Sequence, residues 1–125
     1  MRLKVSQQAI VDLRRLPTGI RAKLWRAAQA LKYESFPNGL FDDIEVESGP
    51  IHVYSREVPP INKLKVRKPP TNYRILYMID EPHDTAFVVA VRRRDVAYEA
   101  TAMHLAMLRS IVKDYFENQR WENGH

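Results

Sequence analysis

The sequence contains no cysteine. That absence rules out disulfides, thiolate zinc sites and cysteine nucleophiles. No apolar run approaches the roughly 20 residues needed to span a bilayer. The opening residues, MRLKVSQQAIVDLRR, hold no long apolar stretch followed by a small-residue cleavage site. A soluble cytoplasmic protein, without membrane association, is the expectation. Internal repeats and low-complexity tracts are also missing. The histidines, His52, His83, His104 and His125, show no metal-ligand spacing, and neither a metal nor a cofactor is expected. What remains is a chain of 125 residues, 45% hydrophobic, with 20 Lys and Arg against 15 Asp and Glu and a net charge of +5. That length suits one compact domain. The basic excess suits an anionic partner, but charge alone speaks only to solubility and non-specific binding.

Residues 2–5, RLKV, alternate and predict a first strand. Ser6 is placed to cap a helix, because its hydroxyl can accept from a free first-turn amide. Ala9, Ile10, Leu13 and Leu16 then recur at helical spacing until Pro17. Ile20, Leu24, Ala27 or Ala28 and Leu31 predict a second helix, joined to the first by a short turn. IHVYSREV, 51–58, has the β-branched and aromatic content of a strand. KLKVRK alternates, with Lys63, Lys65 and Arg67 on one face and Leu64 and Val66 on the other. YRILYMI and TAFVVAV predict two strands joined by the hairpin loop DEPHD. Asp95 is a candidate cap for a final helix at about 96–118, whose apolar stripe runs through Ile111, Val112, Tyr115 and Phe116. Residues 119–125 are expected to fray. The sum is an α+β domain over 1–125: a small antiparallel sheet with an N-terminal helical hairpin packed on one face and a C-terminal helix.

The basic residues are unevenly placed. Between Glu57 and Asp80 there is no acidic residue, and that window holds Lys63, Lys65, Arg67, Lys68 and Arg74. The next strand ends in Arg92, Arg93 and Arg94. If the strands are neighbours, these cations converge, and a polyanion would relieve their repulsion and release counterions. Aromatics are interleaved with them. Tyr73 and Tyr77 read as core residues. Tyr98, beyond the strand end, stays open between a packing tyrosine and one that contacts bases. Strand alternation puts Arg92 and Arg93 on opposite faces, so only one can face a groove. The acidic run FDDIEVE, with Asp42, Asp43, Glu45 and Glu47, matches no metal loop. A solvated loop or edge strand is its expected role; an internal electrostatic partner for the basic strand is the other.

KLKVRKPPTNYRILYMID followed by AFVVAVRRRDVAY resembles the RelE/ParE superfamily of bacterial toxins. RLKVSQQAIVDLRRLPTGIRAKLWRAAQAL is similar to that family's first strand and helical hairpin. The resemblance covers roughly residues 2–40 and 62–98, and rests on the order of the motifs. Three features depart from the pattern: the longer stretch 41–61, the proline-rich turn KPPTN and the long helix after Tyr98.

The resemblance implies a RelE-like toxin of a type II toxin–antitoxin system, an mRNA interferase acting on the ribosome. Its partners would be a cognate antitoxin, in a hetero-oligomer, and the ribosome with its mRNA. Lys63, Lys65, Arg74, Arg93 or its neighbour Arg92, and Tyr98 match the family's catalytic positions, with Arg93 the expected one of the pair, while Arg67, Lys68, Arg92 and Arg94 are expected to contact RNA. The chemistry would be attack of a 2′-hydroxyl on the adjacent phosphate without a metal. Lys65, helped by Lys63, would act as base or charge stabiliser. Arg74 would hold the phosphate, Arg93 would stabilise the transition state, and Tyr98 would stack on the nucleotide. Two alternatives stay open: a ParE-like inhibitor of DNA gyrase, and a relative that binds RNA without cutting it.

Overall fold

The computed structural model describes residues 1–99 and 101–124; His125 lies outside the described residues. Six strands form one sheet: β1 (Arg2–Val5), β2 (Gly39–Phe41), β3 (Ile44–Pro50), β4 (Asn62–Lys68), β5 (Tyr73–Asp80) and β6 (Thr85–Arg93). Their order is β1-β6-β5-β4-β3-β2. The fold class is α+β, as the sequence predicts. Every pairing is antiparallel except that of β1, which lies parallel to β6.

Helices α1 (Gln7–Arg14) and α2 (Thr18–Gln29) form the hairpin. Ser6 caps α1 as expected: its hydroxyl accepts from the Ala9 amide at 2.9 Å and donates to the Val89 carbonyl at 2.5 Å. One hydroxyl thus ends β1, starts α1 and ties both to β6. The hairpin buries Ala9, Leu13, Leu24, Ala27, Ala28 and Leu31 against Ile44, Val46, Leu64, Val66, Ile75, Tyr77 and Val88 of the sheet. Each such aliphatic side chain contributes about 1.5–3 kcal/mol by leaving water. Tyr77 is core, and Tyr73 packs beside it, half-buried.

The opposite face of the sheet is covered by α4 (Ala102–Gly124), which brings Leu108 and Tyr115 onto Leu76, Met78, Phe87 and Val89. With a layer on each face, β5 and β6 need near-continuous apolar runs rather than alternation, and both have them.

Three expectations change. IHVYSREV is not a strand: His52–Tyr54 form a 3-10 turn. Tyr54 is fully buried there, and its hydroxyl bonds the Glu99 carbonyl and, at 2.8 Å, His104 Nδ1. Asp95 does not cap the final helix. Arg93 holds the N-cap position of a short helix α3 (Arg94–Ala97), and Asp95 sits in its first turn. The Thr101 hydroxyl accepts from the His104 amide at 3.2 Å where α4 begins. Lastly, the final helix is divided: α3 ends at Ala97 and α4 spans Ala102–Gly124. Gln119 Nε2 donates to the Tyr115 hydroxyl at 2.8 Å, which donates to buried Asp80 at 2.7 Å and docks α4 on β5.

One irregularity governs the strand ends. Tyr77 pairs with Val88, yet Leu76 pairs with Ala90, so Val89 is an extra residue in β6. Such a bulge shifts every later side chain by one position. Val89 and Ala90 both fall on the α4 face, and Val91 returns to the hairpin face.

Candidate nucleic-acid interface

The alternation of β4 is the starting point. Leu64 and Val66 are buried under the hairpin, so Lys63 and Lys65 project from the α4 face. On β5, Ile75 belongs to the hairpin side, which places Arg74 on the α4 side. The β4–β5 ladder ends at Leu64 and Ile75. Lys65 and Arg74 therefore stand one step beyond it, where the two strands are no longer paired.

Tyr98 follows α3 and folds back over this point. Its hydroxyl accepts from Arg74 Nε at 3.1 Å. The Lys63 ammonium lies 5.2 Å from the centre of its ring, within cation–π range. Arg74 is only 7% exposed. Its Nη1 donates to the Tyr73 carbonyl at 3.0 Å and the Thr71 carbonyl at 3.4 Å. Among the described residues no carboxylate pairs with Lys63 or with Arg74. A buried guanidinium answered only by neutral oxygens is incompletely compensated. An anion arriving beside Tyr98 would complete it.

The other cations of β4 have carboxylate partners in the chain. Lys65 Nζ lies 3.7 Å from Glu47, Arg67 lies 3.4 Å from Glu45 and 3.5 Å from Glu47, and Lys68 lies 3.8 Å from Glu45. The acidic run is thus not a free solvated loop. Its second half is strand β3, lying beside β4 as the electrostatic partner of the basic strand. Arg94 is exposed at the start of α3, and its amide donates to the Asn72 carbonyl at 2.9 Å.

The bulge decides between Arg92 and Arg93. Counting by twos from Phe87, which is on the α4 face, would put Arg93 beside Arg74. The extra residue reverses this: Arg74 pairs with Arg92, and Tyr73 pairs with Arg93. Arg92, not the expected Arg93, shares the face of Arg74. It is firmly held there. Its Nη1 donates to Asp12 at 2.5 Å and its Nη2 to Met107 Sδ at 3.1 Å. Arg93 stands at the rim, its side chain 60% exposed, 3.5 Å from Asp95.

The structure thus joins Lys63, Arg74 and Tyr98 directly. It puts Lys65 and Arg92 beside them in ion pairs, and leaves Arg67, Lys68, Arg93 and Arg94 at the margins. Three contributors escaped sequence reasoning. Asp12 holds Arg92 and also accepts from the Val91 amide at 3.0 Å; its signal was that it is the one carboxylate before Glu34. Tyr54 and His104 fix the segment just after Tyr98. His104 Nδ1 lies 3.0 Å from the Glu99 carbonyl, while its Nε2 is buried without a partner. Nothing in the local pattern of 51–58 marked Tyr54 for this place. A cavity of 560 Å³ lies elsewhere, lined by Phe36, Val58, Ile79 and Phe116 among others. In the cluster itself Arg74 is buried and Lys63 and Tyr98 are partly exposed, so a ligand would meet it from the side of the lysine and the ring.

No family model matches the chain, and no curated protein matches it. Solved structures do. The archaeal RelE–RelB complex from Pyrococcus horikoshii OT3 matches with a TM-score of 0.51 at 17% identity, covering 74% of this chain and 93% of that one. The intact E. coli RelBE toxin–antitoxin complex matches with a TM-score of 0.50 at 19% identity, covering 74% of this chain and 94% of that one. The fold of this chain is RelE-like.

Proposed function

We propose that this RelE-like chain is the toxin of a type II toxin–antitoxin system and an endoribonuclease that cuts mRNA on the ribosome. The observation that carries the reading is the junction of Lys63, Arg74 and Tyr98: two cations without carboxylate partners meet on one aromatic ring. Phosphate and base are the two halves of a nucleotide, and this arrangement offers something to each.

In the reaction, the 2′-hydroxyl attacks the neighbouring phosphorus and the bond to the 5′-oxygen breaks. The products are a 2′,3′-cyclic phosphate and, once the departing 5′-oxygen has taken a proton from water, a free 5′-hydroxyl. Lys65 is the proposed base or charge stabiliser at the 2′-hydroxyl, which requires substrate to release it from Glu47. Lys63 holds charge on the pentacoordinate phosphate. Arg74 orients the Tyr98 phenol through Nε and offers Nη2, for which no hydrogen bond is found among the described residues. Tyr98 stacks on the nucleotide. Arg93 contacts the RNA backbone from the rim, and Arg92, on the face of Arg74, braces the wall beside it. The site needs an RNA already bent for in-line attack, which is the part given to the ribosome. A cognate antitoxin would bind as the anionic competitor of RNA.

Induced expression with mapping of mRNA 5′ ends tests the reading. Growth arrest with new 5′ ends within translated codons is expected, and both should vanish in Arg74→Ala. Arrest without new ends, accompanied by loss of gyrase supercoiling, would replace it with the gyrase alternative. The near-complete burial of Arg74 favours one second reading, a relative that binds RNA without cutting. That reading predicts RNA binding with neither arrest nor new ends.

A further inference from the structure

We infer that Glu45 and Glu47 form a built-in polyanion mimic that keeps the basic strand from capturing free RNA; the inference deepens the proposed function and rests on the same surface. The register is the evidence. Along the β3–β4 ladder, Glu47 stands opposite Lys65 and Glu45 opposite Lys68, while Lys63 stands opposite Gly49. Arg67 spans both carboxylates. The carboxylates therefore answer Lys65, Arg67 and Lys68 and stop one step short of Lys63. There the strand presents glycine, which has no side chain, and the lysine turns to Tyr98 instead. The stretch Lys65, Arg67 and Lys68 carries +3 alone and +1 with the two glutamates.

The consequence is selectivity. All four ion pairs span 3.4–3.8 Å and are partly exposed, so each is weak and can be exchanged for phosphate. A loose RNA strand gains little from that exchange. An RNA held in place by a larger assembly can first engage the uncovered end at Lys63, Arg74 and Tyr98, and then needs to displace only Glu47 from Lys65. The two glutamates thus set the preference for presented over free RNA.

The test is binding of a fluorescein-labelled 12-mer of oligouridine across a salt series. Glu45→Gln with Glu47→Gln should tighten binding on the order of tenfold at low salt. It should also steepen the salt dependence by about 1.4, at about 0.7 per phosphate for single strands. The matched control, Glu34→Gln with Asp43→Asn, makes the same charge change away from β4 and should do far less. Gly49→Glu runs the other way. A Cβ added there meets no atom within 4 Å, so the mimic can extend to Lys63, and binding should weaken severalfold. Equal gains from the test and control pairs would overturn the inference, as would no gain from either. Tighter binding without ribosome-dependent cleavage would keep the mimic and remove the nuclease; cleavage on ribosomes with unchanged binding would do the reverse.

Discussion

Asp12→Asn tests how the strand end is held. Asp12 accepts from the Val91 amide at 3.0 Å and from Arg92 at 2.5 Å, and Gln8 donates to its other oxygen at 2.8 Å. Its side chain is 9% exposed and that of Arg92 15%. The amide of Asn can keep one acceptor but not the charge. Bonds to a charged group contribute about 1.5–3 kcal/mol and neutral ones about 1 kcal/mol. The difference over two such bonds, with Arg92 left half-buried and unpaired, comes to about 2 kcal/mol. For a domain of this size that lowers Tm by about 8 °C. Urea unfolding followed by circular dichroism should show a lower midpoint with an unchanged slope. Arg92→Met added to Asp12→Asn should restore part of the loss, because it removes the orphaned charge. A loss under about 0.5 kcal/mol, or strictly additive effects of the two substitutions, would refute the idea that this pair anchors β6 to α1.

Other outcomes follow from single groups. Burial pushes the Tyr77 phenol up to about 12, and its hydroxyl donates to the Ser35 carbonyl at 2.6 Å. Because the folded value is raised, the stabilisation is complete below pH 10 and is lost as pH rises toward 12, about 3 kcal/mol in all. Tyr77→Phe should flatten that alkaline loss in pH-dependent denaturation, and an unchanged profile would count against it. Tyr54→Phe removes the hydroxyl shared by Glu99 and His104; hydrogen exchange at 99–105 should rise about tenfold, with little change in β1. Tyr98→Phe keeps the ring under Lys63 but frees Arg74 Nε, so RNA cleavage should fall more than RNA affinity. A parallel fall in both would assign the hydroxyl to binding alone.

Much of this was legible in the residues because local rules agreed with the tertiary outcome. Ser6, the spacing of Ala9 and Leu13, and the alternation of Leu64 and Val66 each state a local preference that packing then uses. The basic cluster was legible as composition, and the proximity of Lys63 and Arg74 follows from strand order, while Tyr98 reaches them through the turn of α3. What was hidden depends on long-range geometry. Tyr54 has strand-like neighbours, but its partners lie 45 and 50 residues away, and they set its conformation. Glu45 and Glu47 became ion-pair partners only through a register that no local pattern encodes. The facing of Arg92 and Arg93 turned on one extra residue within an apolar run, where Val89 and Ala90 suit either side of a buried strand.

That extra residue makes the run of three arginines intelligible in another way. A single arginine at the end of β6 would be hostage to the count of residues before it: one insertion or deletion would aim it at the wrong layer. With Arg92 and Arg93 adjacent, a cation faces each layer whichever way the count falls, and Arg94 begins the next helix. The repeat is a form of error tolerance. Either register of β6 would leave a positive charge beside Arg74, so the strand end keeps its electrostatic identity with or without the bulge.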